Sequence, residues 1–209
     1  MGRRRMSKAV LISIRPKWVQ KIASGEKTIE VRKTRPKLDT PFKAYIYCTM
    51  PDAKDPHNIL ELHGADGKIR KANGKVIGEF TCDLIQSFDS AYSEWAYAVA
   101  PSGSVMPMHE TKALELCKKD GCLSDHDVLS YFGDEDLKAY FWHISDLRIY
   151  DAPKKLGEFW RDCLEYSELS ANCWSCENVC GDGDETDCNT DGRLYLHRPP
   201  QSWCYVEAM

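Results

Sequence analysis

Short apolar stretches separated by turn residues run along most of the chain. Their alternating or continuous apolar pattern is typical of β-strands. The stretches that predict strands are residues 10–14, 28–33, 42–48, 75–82, 141–150 and 202–206. One short helix is predicted after the first strand, because Pro16 fits the first helical position and Gly25 fits the position just past the end. About six strands with few long helices predict an α+β fold built on a small closed β-barrel, since closure removes exposed sheet edges.

Turn residues and helical spacing mark the regions between these strands. Residues 51–73 are rich in Pro, Asp, Gly and Asn and predict a loop, and Gly78 predicts a bulge in the strand that follows. Residues 103–140 differ in character, because apolar positions there recur at helical spacing and Ser124 begins a helix-start pattern. We therefore predict a helical insertion over about 103–140.

Residues 24–33 combine a high density of charge with two core-type side chains. In an extended chain, Ile29 and Val31 point to one face, and Thr28, Glu30 and Arg32 point to the other. A charged face beside core residues indicates a site. The solvated outer face of an ordinary strand gives the same pattern, so the sequence leaves both interpretations open.

Length and composition indicate a globular protein without a membrane span. The chain has 209 residues, of which 43% are hydrophobic and 29% are charged, and this length fits one domain with insertions. Its apolar runs are far shorter than the roughly 20 residues that a spanning helix needs. The basic leader 1–6 lacks the apolar region of a secretion signal, and either Met1 or Met6 fits the start. We expect a cytoplasmic protein with a single domain over 7–209.

Positive charge is concentrated at the amino end. Residues 1–37 contain twelve Lys or Arg and two Glu, although the whole chain has a net charge of -4. Clustered basic residues are the electrostatic footprint of phosphate-backbone binding. This end of the chain is therefore a candidate surface for an anionic ligand.

A second insertion, over about 158–192, is acidic and rich in cysteine. The chain has ten cysteines, and four of them follow the pattern Cys-x2-Cys-x3-Cys-x7-Cys, at Cys173, Cys176, Cys180 and Cys188. Four thiolates at such spacing suit a closed tetrahedral zinc site, so a structural zinc is predicted. Reduced surface thiols and a disulfide pair remain alternatives, although disulfides are uncommon in cytosolic proteins.

Three blocks of sequence, in the same order, resemble the ASCH domain of the PUA-like superfamily. They are residues 13–16 (Ser-Ile-Arg-Pro), 25–32 (Gly-Glu-Lys-Thr-Ile-Glu-Val-Arg) and 74–80 (Gly-Lys-Val-Ile-Gly-Glu-Phe). The pattern Gly-x-Lys-x-x-Glu-x-Arg in the second block is the core of the family's motif. Residues 139–156 and 198–206 resemble the longer members that phages and prophages often encode.

The resemblance implies a β-barrel whose cleft lies beside the helix-to-strand turn and binds RNA, single-stranded nucleic acid or a modified nucleoside. Lys27 and Arg32 suit a phosphate or a carbonyl oxygen, and Glu30 suits an exocyclic amine. Trp18 and Trp142 suit base stacking, although large aromatic side chains also fill cores. The candidate ligand-binding set is Ser13, Trp18, Lys27, Glu30, Arg32, Lys33, Arg35 and Trp142.

A hydrolase is the alternative interpretation. Some small bacterial ASCH proteins are amidohydrolases of acylated cytidine, with a Lys that Lys27 matches and a Thr nucleophile whose position Glu30 occupies. A carboxylate is a poor replacement for a hydroxyl that must form and release an acyl ester. Other relatives are ribonucleases, for which Lys27, Glu30 and His143 would supply a base and a cation. A third interpretation is a scaffold whose insertions bind another protein.

Overall fold

The computed structural model describes residues 8–51, 58–64, 66–89, 96–99, 105–108, 110–132, 138–162 and 193–209. Side-chain surroundings are described for these residues except 89, 96–99, 105–108, 110, 111 and 162. The basic leader 1–6 and the four cysteines of the predicted zinc site lie outside the described residues.

The described residues form a mixed α+β structure. The helices are α1 (Pro16–Ala23), α2 (Glu110–Glu115) and α3 (Asp125–Phe132), with a π-helical turn (Leu116–Asp120) after α2 and a 3-10 turn (Leu156–Glu158). The strands are β1 (Lys8–Ile14), β2 (Ile29–Arg32), β3 (Phe42–Cys48), β4 (Glu61–His63), β5 (Ile69–Lys71), β6 (Lys75–Cys82), β7 (Ile85–Asp89), β8 (Ala96–Val99), β9 (Val105–Met108), β10 (Lys138–His143), β11 (Ser145–Lys155), β12 (Trp160–Asp162), β13 (Arg193–Tyr195) and β14 (Trp203–Glu207). None of the helices described is long and apolar enough to cross a bilayer.

Two five-stranded sheets carry the fold. The first has the order β11-β6-β3-β1-β14, in which only the β1–β3 pair is parallel, and the second has the order β2-β10-β7-β8-β9. Two small pairs, β12–β13 and β4–β5, complete the described strands. The expected closed barrel of six strands is not what these residues show, because their pairing gives separate sheets.

The two sheets enclose the largest core. Val10 and Ile12 of β1 pack in it together with Trp142 of β10 and with Val19 and Ile22 of α1. The alternate side chains of β1 point to the other side of the sheet, where they pack in a second core with Phe159 and Val206. The first sheet is therefore buried on both faces, which explains why β1 reads as a continuous apolar run rather than an alternating one.

The helical segment 110–132, which comprises α2, the π-helical turn and α3, packs on the outer face of the second sheet. Ala113, Leu116 and Phe132 of this segment bury Ile29 and Val31 of β2. The apolar pair of β2 therefore faces the helical segment. The alternate residues of β2 point toward the space between the sheets.

Several local predictions are confirmed. Pro16 begins α1, Gly25 follows its end with φ 79°, and β3 and β6 have the predicted bounds. Ser124 caps α3, because its Oγ accepts from the Asp127 N–H at 3.1 Å and its own N–H donates to Oδ2 of Asp127 at 3.0 Å. The β3–β6 register shifts beside Gly78, as expected for a bulge.

In other segments the structure contains elements or breaks that the sequence did not indicate. The predicted loop 51–73 contains the hairpin β4–β5. The predicted helical insertion 103–140 also contains β9 and the start of β10. The long strand predicted over 141–150 is divided, since β10 ends at His143 and β11 begins at Ser145. β12 lies within the predicted insertion 158–192, and it pairs with β13, which begins immediately after that insertion.

Candidate functional site: a charged cleft beside β2

A cavity of about 370 Å³ opens where α1, β2 and the helical segment meet. This volume lies within the range of small-molecule sites, which is about 300 to 1,000 Å³. Five residues of the predicted ligand-binding set line the cavity: Ser13, Trp18, Lys27, Glu30 and Arg32. The fold therefore brings the ends of β1 and α1 together with β2, as the cleft prediction requires.

Lys27, Glu30 and Arg32 form a buried ion-pair network in this cavity, and we call these three residues the charged triad. Nζ of Lys27 lies 3.4 Å from Oε2 of Glu30, and Nε of Arg32 lies 2.9 Å from Oε1. The three residues are only 2, 6 and 8% exposed. The solvated-face alternative for β2 is therefore wrong, because its polar residues are buried.

The backbone around Lys27 explains how a charged side chain comes to be buried there. Gly25 turns the chain after α1, and the Lys27 N–H then donates to the Lys21 carbonyl at 2.9 Å. Nζ of Lys27 donates to the Gly121 carbonyl at 2.7 Å, which is the end of the π-helical turn. The ammonium is thus held by a carboxylate and by the carbonyl end of a helical turn, both of which favour a cation.

Arg32 holds two distant segments at the floor of the cleft. Its guanidinium donates to the Ser13 carbonyl and, at 3.3 Å, to Oγ of Ser202. Ser13 is fixed in turn, since its hydroxyl donates to the Pro200 carbonyl at 2.6 Å. Two of the guanidinium nitrogens therefore donate to protein acceptors, and Nε lies beside the Glu30 carboxylate as an ion pair without a hydrogen bond, so this arrangement fixes the position of the charge.

Trp18 provides an aromatic wall beside the charges. The side chain is partly buried, and the ammonium groups of Lys17 and Lys27 lie 4.3 and 5.4 Å from its ring centroid. An aromatic ring with cations around it attracts anionic ligands that also carry a flat ring, because stacking and charge act together. Trp18 therefore lines the cavity with part of its side chain exposed, and its stacking role stays a prediction.

The opposite wall comes from residues that sequence reasoning did not identify. Asp127, Ser130 and Tyr131 of α3 line the cavity, as do Gln201 and Ser202 before β14. Asp127 joins this wall to α1, because its carboxylate lies 3.3 Å from Nζ of Lys17. The sequence signals near this wall were the capping pattern at Ser124 and the predicted strand 202–206, and neither indicated the cavity.

Three residues of the predicted ligand-binding set do not line the cavity. Trp142 is fully buried in the core, where its ring packs edge-on against Phe42 at 5.8 Å. Lys33 and Arg35 are exposed on the segment that follows β2. Trp142 thus supports the cleft from beneath, whereas the two cations lie on the surface beside it.

His143 lies on the other face of the second sheet. It pairs with Ile29 across the β10–β2 ladder, whereas Trp142 pairs with Glu30, and residues opposite each other share a face. Its Nε2 lies 3.1 Å from Oε1 of Gln86, and burial lowers its pKa. The geometry therefore does not bring His143 to Lys27 and Glu30.

The cysteines of the described residues are free thiols. Cys48, Cys82 and Cys117 are buried, and burial raises the pKa of the Cys48 and Cys82 thiols to about 12. Such thiols are packed as small apolar groups. Among the residues whose side chains are described, no group of three metal-ligating residues occurs.

The described residues define a small α+β fold with a cavity of about 370 Å³ lined by three buried charged side chains. No family model matches the chain, and no curated protein does either. The chain is similar to solved structures of ASCH from Zymomonas mobilis. One has 20% identity and a TM-score of 0.45, over 71% of this chain and 73% of its own length. A mutant of that protein has 18% identity and a TM-score of 0.49, over 95% and 88%.

Proposed function

We propose that this chain is a PUA-like ASCH-domain protein that binds RNA or a modified base in the cleft at the helix-to-strand turn. The observation that carries the proposal is the charged triad, which lines a cavity of about 370 Å³ together with Trp18. Burying three charges is costly, so a network kept next to an open cavity fits a binding role better than a purely structural one.

The chemistry of the cleft suits a nucleotide base. Trp18 offers a stacking surface, Glu30 offers carboxylate acceptors for an exocyclic amine, and Lys27 and Arg32 have N–H donors beyond those used in the protein contacts. The hydroxyl groups of Ser130 and Tyr131 add donors and acceptors on the opposite wall. Bases flipped or splayed out of a single strand are read by this combination of stacking and edge contacts.

Titration of labelled single-stranded RNA tests the proposal. Trp18→Leu removes the stacking ring from a partly exposed position, and we expect affinity to fall about 5- to 150-fold, which corresponds to roughly 1 to 3 kcal/mol per stacked base. Trp160→Leu is the matched control, because Trp160 packs with Tyr195 and does not line the cavity. Equal losses in both variants, or no binding by the unmodified protein, contradict the proposal.

Hydrolysis of a modified nucleoside or of RNA is the second proposed function. It is favoured by the 3.4 Å approach of Lys27 to Glu30 inside the cavity and by the nearby hydroxyls of Ser130 and Tyr131. His143 does not contribute, because it lies on the other face of the sheet. Incubation with a panel of acylated nucleosides and an RNA ladder, followed by mass spectrometry, tests it. Unchanged substrates across the panel refute it.

The predicted zinc site at Cys173, Cys176, Cys180 and Cys188 is a separate proposal, supported by the spacing of these thiols in the sequence. Metal analysis of protein purified without a His-tag tests it. About one equivalent of zinc is expected for a closed site, and substoichiometric zinc together with four titratable thiols contradicts it.

A further inference from the structure

A strip of three exposed cations lies beside the cleft, on the segment that follows β2. Lys33, Arg35 and Lys37 are all exposed, and we call these three residues the basic strip. They span five residues, so their Cα atoms lie within about 14 Å of one another even if the chain is fully extended. Among the described residues, none of the three has a carboxylate within ion-pair distance.

The segment that carries the basic strip is held in place. Nε1 of Trp203 donates to Oγ1 of Thr34 at 3.0 Å, and the Lys37 N–H donates to the hydroxyl of Tyr205 at 2.7 Å. Pro36, between two of the cations, is buried. The intervening residues and backbone thus attach the segment to β14, and the three cationic side chains remain in solvent. Because the segment is already held in place, less conformational entropy is lost when a ligand binds to it.

The basic strip adjoins the mouth of the cleft at two points. Lys33 follows Arg32 directly, and its Nζ lies 5.3 Å from the ring centroid of Tyr131, which lines the cavity. Next to Lys33, Thr34 is held by Trp203, which follows Ser202, and Ser202 also lines the cavity. A chain that leaves the cleft over Tyr131 therefore meets the strip at once.

We propose that the basic strip binds the phosphate backbone of a single-stranded RNA whose base occupies the cleft. This inference rests on the proposed function, because it takes the base pocket as given and assigns the adjoining surface. The strand is single because a paired base cannot enter a pocket of this size without leaving its duplex. Three cations that have no carboxylate partner among the described residues, one of them over the Tyr131 ring, match the surfaces that track such backbones.

Salt dependence of binding tests the strip separately from the cleft. Each phosphate neutralised on a single strand contributes about 0.7 to the slope of log affinity against log salt. The triple variant Lys33→Gln, Arg35→Gln, Lys37→Gln is therefore expected to reduce that slope by about 2. Between 50 and 200 mM salt, the unmodified protein then loses about 20-fold more affinity than the variant does.

Two further variants keep the failure of this inference distinct from that of the proposed function. Trp18→Leu is expected to lower affinity at every salt concentration and to leave the slope unchanged. The matched charge control is Lys68→Gln, Lys71→Gln, Lys155→Gln, which removes three exposed cations elsewhere and is expected to leave both quantities near those of the unmodified protein.

The outcomes of these measurements separate failure of this inference from failure of the proposed function. An unchanged slope in the strip variant, with a loss of affinity in Trp18→Leu, overturns the inference and leaves the proposed function standing. Equal reductions of slope in the strip variant and in the charge control also overturn it. Duplex RNA bound as tightly as the single strand overturns the single-stranded assignment. No binding of RNA by the unmodified protein overturns the proposed function and this inference together.

Discussion

Replacing Glu30 by Gln would test whether the charged triad is held together by its central carboxylate. The substitution keeps the shape of the side chain but removes the charge between Lys27 and Arg32. Lys27 is 2% exposed, so bulk water does not replace the lost carboxylate beside its ammonium group. The new amide oxygen can still lie beside the Arg32 guanidinium, but its NH2 group would face the Lys27 ammonium, which is also a donor.

The expected cost is large for a single substitution. Removing one partner of a buried ion pair typically destabilises a protein by about 3–5 kcal/mol, because the remaining charge is left buried without compensation. For a chain of this length, each kcal/mol corresponds to about 2–4 °C, so the melting temperature should fall by about 6–20 °C. Measurement of unfolding by urea and by heat, with circular dichroism as the readout, gives both quantities.

Glu26→Gln is the matched control. Glu26 forms an ion pair with Lys21 at 3.1 Å, but both side chains are substantially exposed, so no measurable loss of stability is expected. The double variant Lys27→Met, Glu30→Gln should be less destabilised than the sum of the two single variants, because the Lys27 ammonium is then no longer left buried without its carboxylate, whereas Arg32 loses the same carboxylate with or without Lys27. A Glu30→Gln protein as stable as Glu26→Gln would refute the reasoning that the triad is an electrostatically coupled unit.

Three other predictions concern residues outside the cleft. Gly78→Ala is expected to cost about 1–3 kcal/mol in urea unfolding, because the added methyl group would overlap a backbone carbonyl of β11. Gly157→Ala, whose added methyl group would lie at an ordinary contact distance of 4.0 Å from the Leu196 carbonyl oxygen, should cost much less, and equal losses would disprove the close-contact argument. Tyr150→Phe removes a 2.6 Å hydrogen bond to Glu79 and should cost about 1.5 kcal/mol, because hydrogen bonds to charged groups lie at about 1.5–3 and Glu79 is partly exposed. It should also raise the pKa of Glu79 measured by NMR, since that hydrogen bond helps to lower it, and an unchanged pKa would contradict the assignment. His143, whose pKa burial lowers below 6.5, binds its proton more readily in the unfolded chain, so stability should fall as pH decreases below about 6.5. His143→Gln should flatten that part of the profile of unfolding free energy against pH, and an equally steep profile in the variant would assign the effect to other groups.

Local signals in the sequence predicted local structure well. Pro16, Gly25 and Ser124 each act through the backbone of their own turn, so the start of α1, its end and the start of α3 were predictable from neighbouring residues. The same holds for Gly78, whose bulge depends on the absence of a side chain. These elements need no knowledge of distant partners.

The arrangement of the sheets and half of the cleft depend on distant contacts and could not be predicted in this way. Tyr131 and Ser202 reach the cavity only because the helical segment packs beside β2 and β14 pairs with β1, at separations of roughly a hundred residues or more along the chain. Trp142 and His143 show a second limit. Alternation places them on opposite faces, but the register with β2 decides which of them shares the face of Glu30.

The hydrogen bond from Lys27 to the Gly121 carbonyl joins positions 94 residues apart and makes the helical segment inseparable from the site. The Thr28 N–H strengthens the junction by donating to the Asp120 carbonyl at 3.0 Å. Deleting residues 110–132 would remove the carbonyl that accepts from the Lys27 ammonium and would leave the cleft open on one side. In a chimera with another protein of this fold, the two segments would therefore have to be transplanted as a single module.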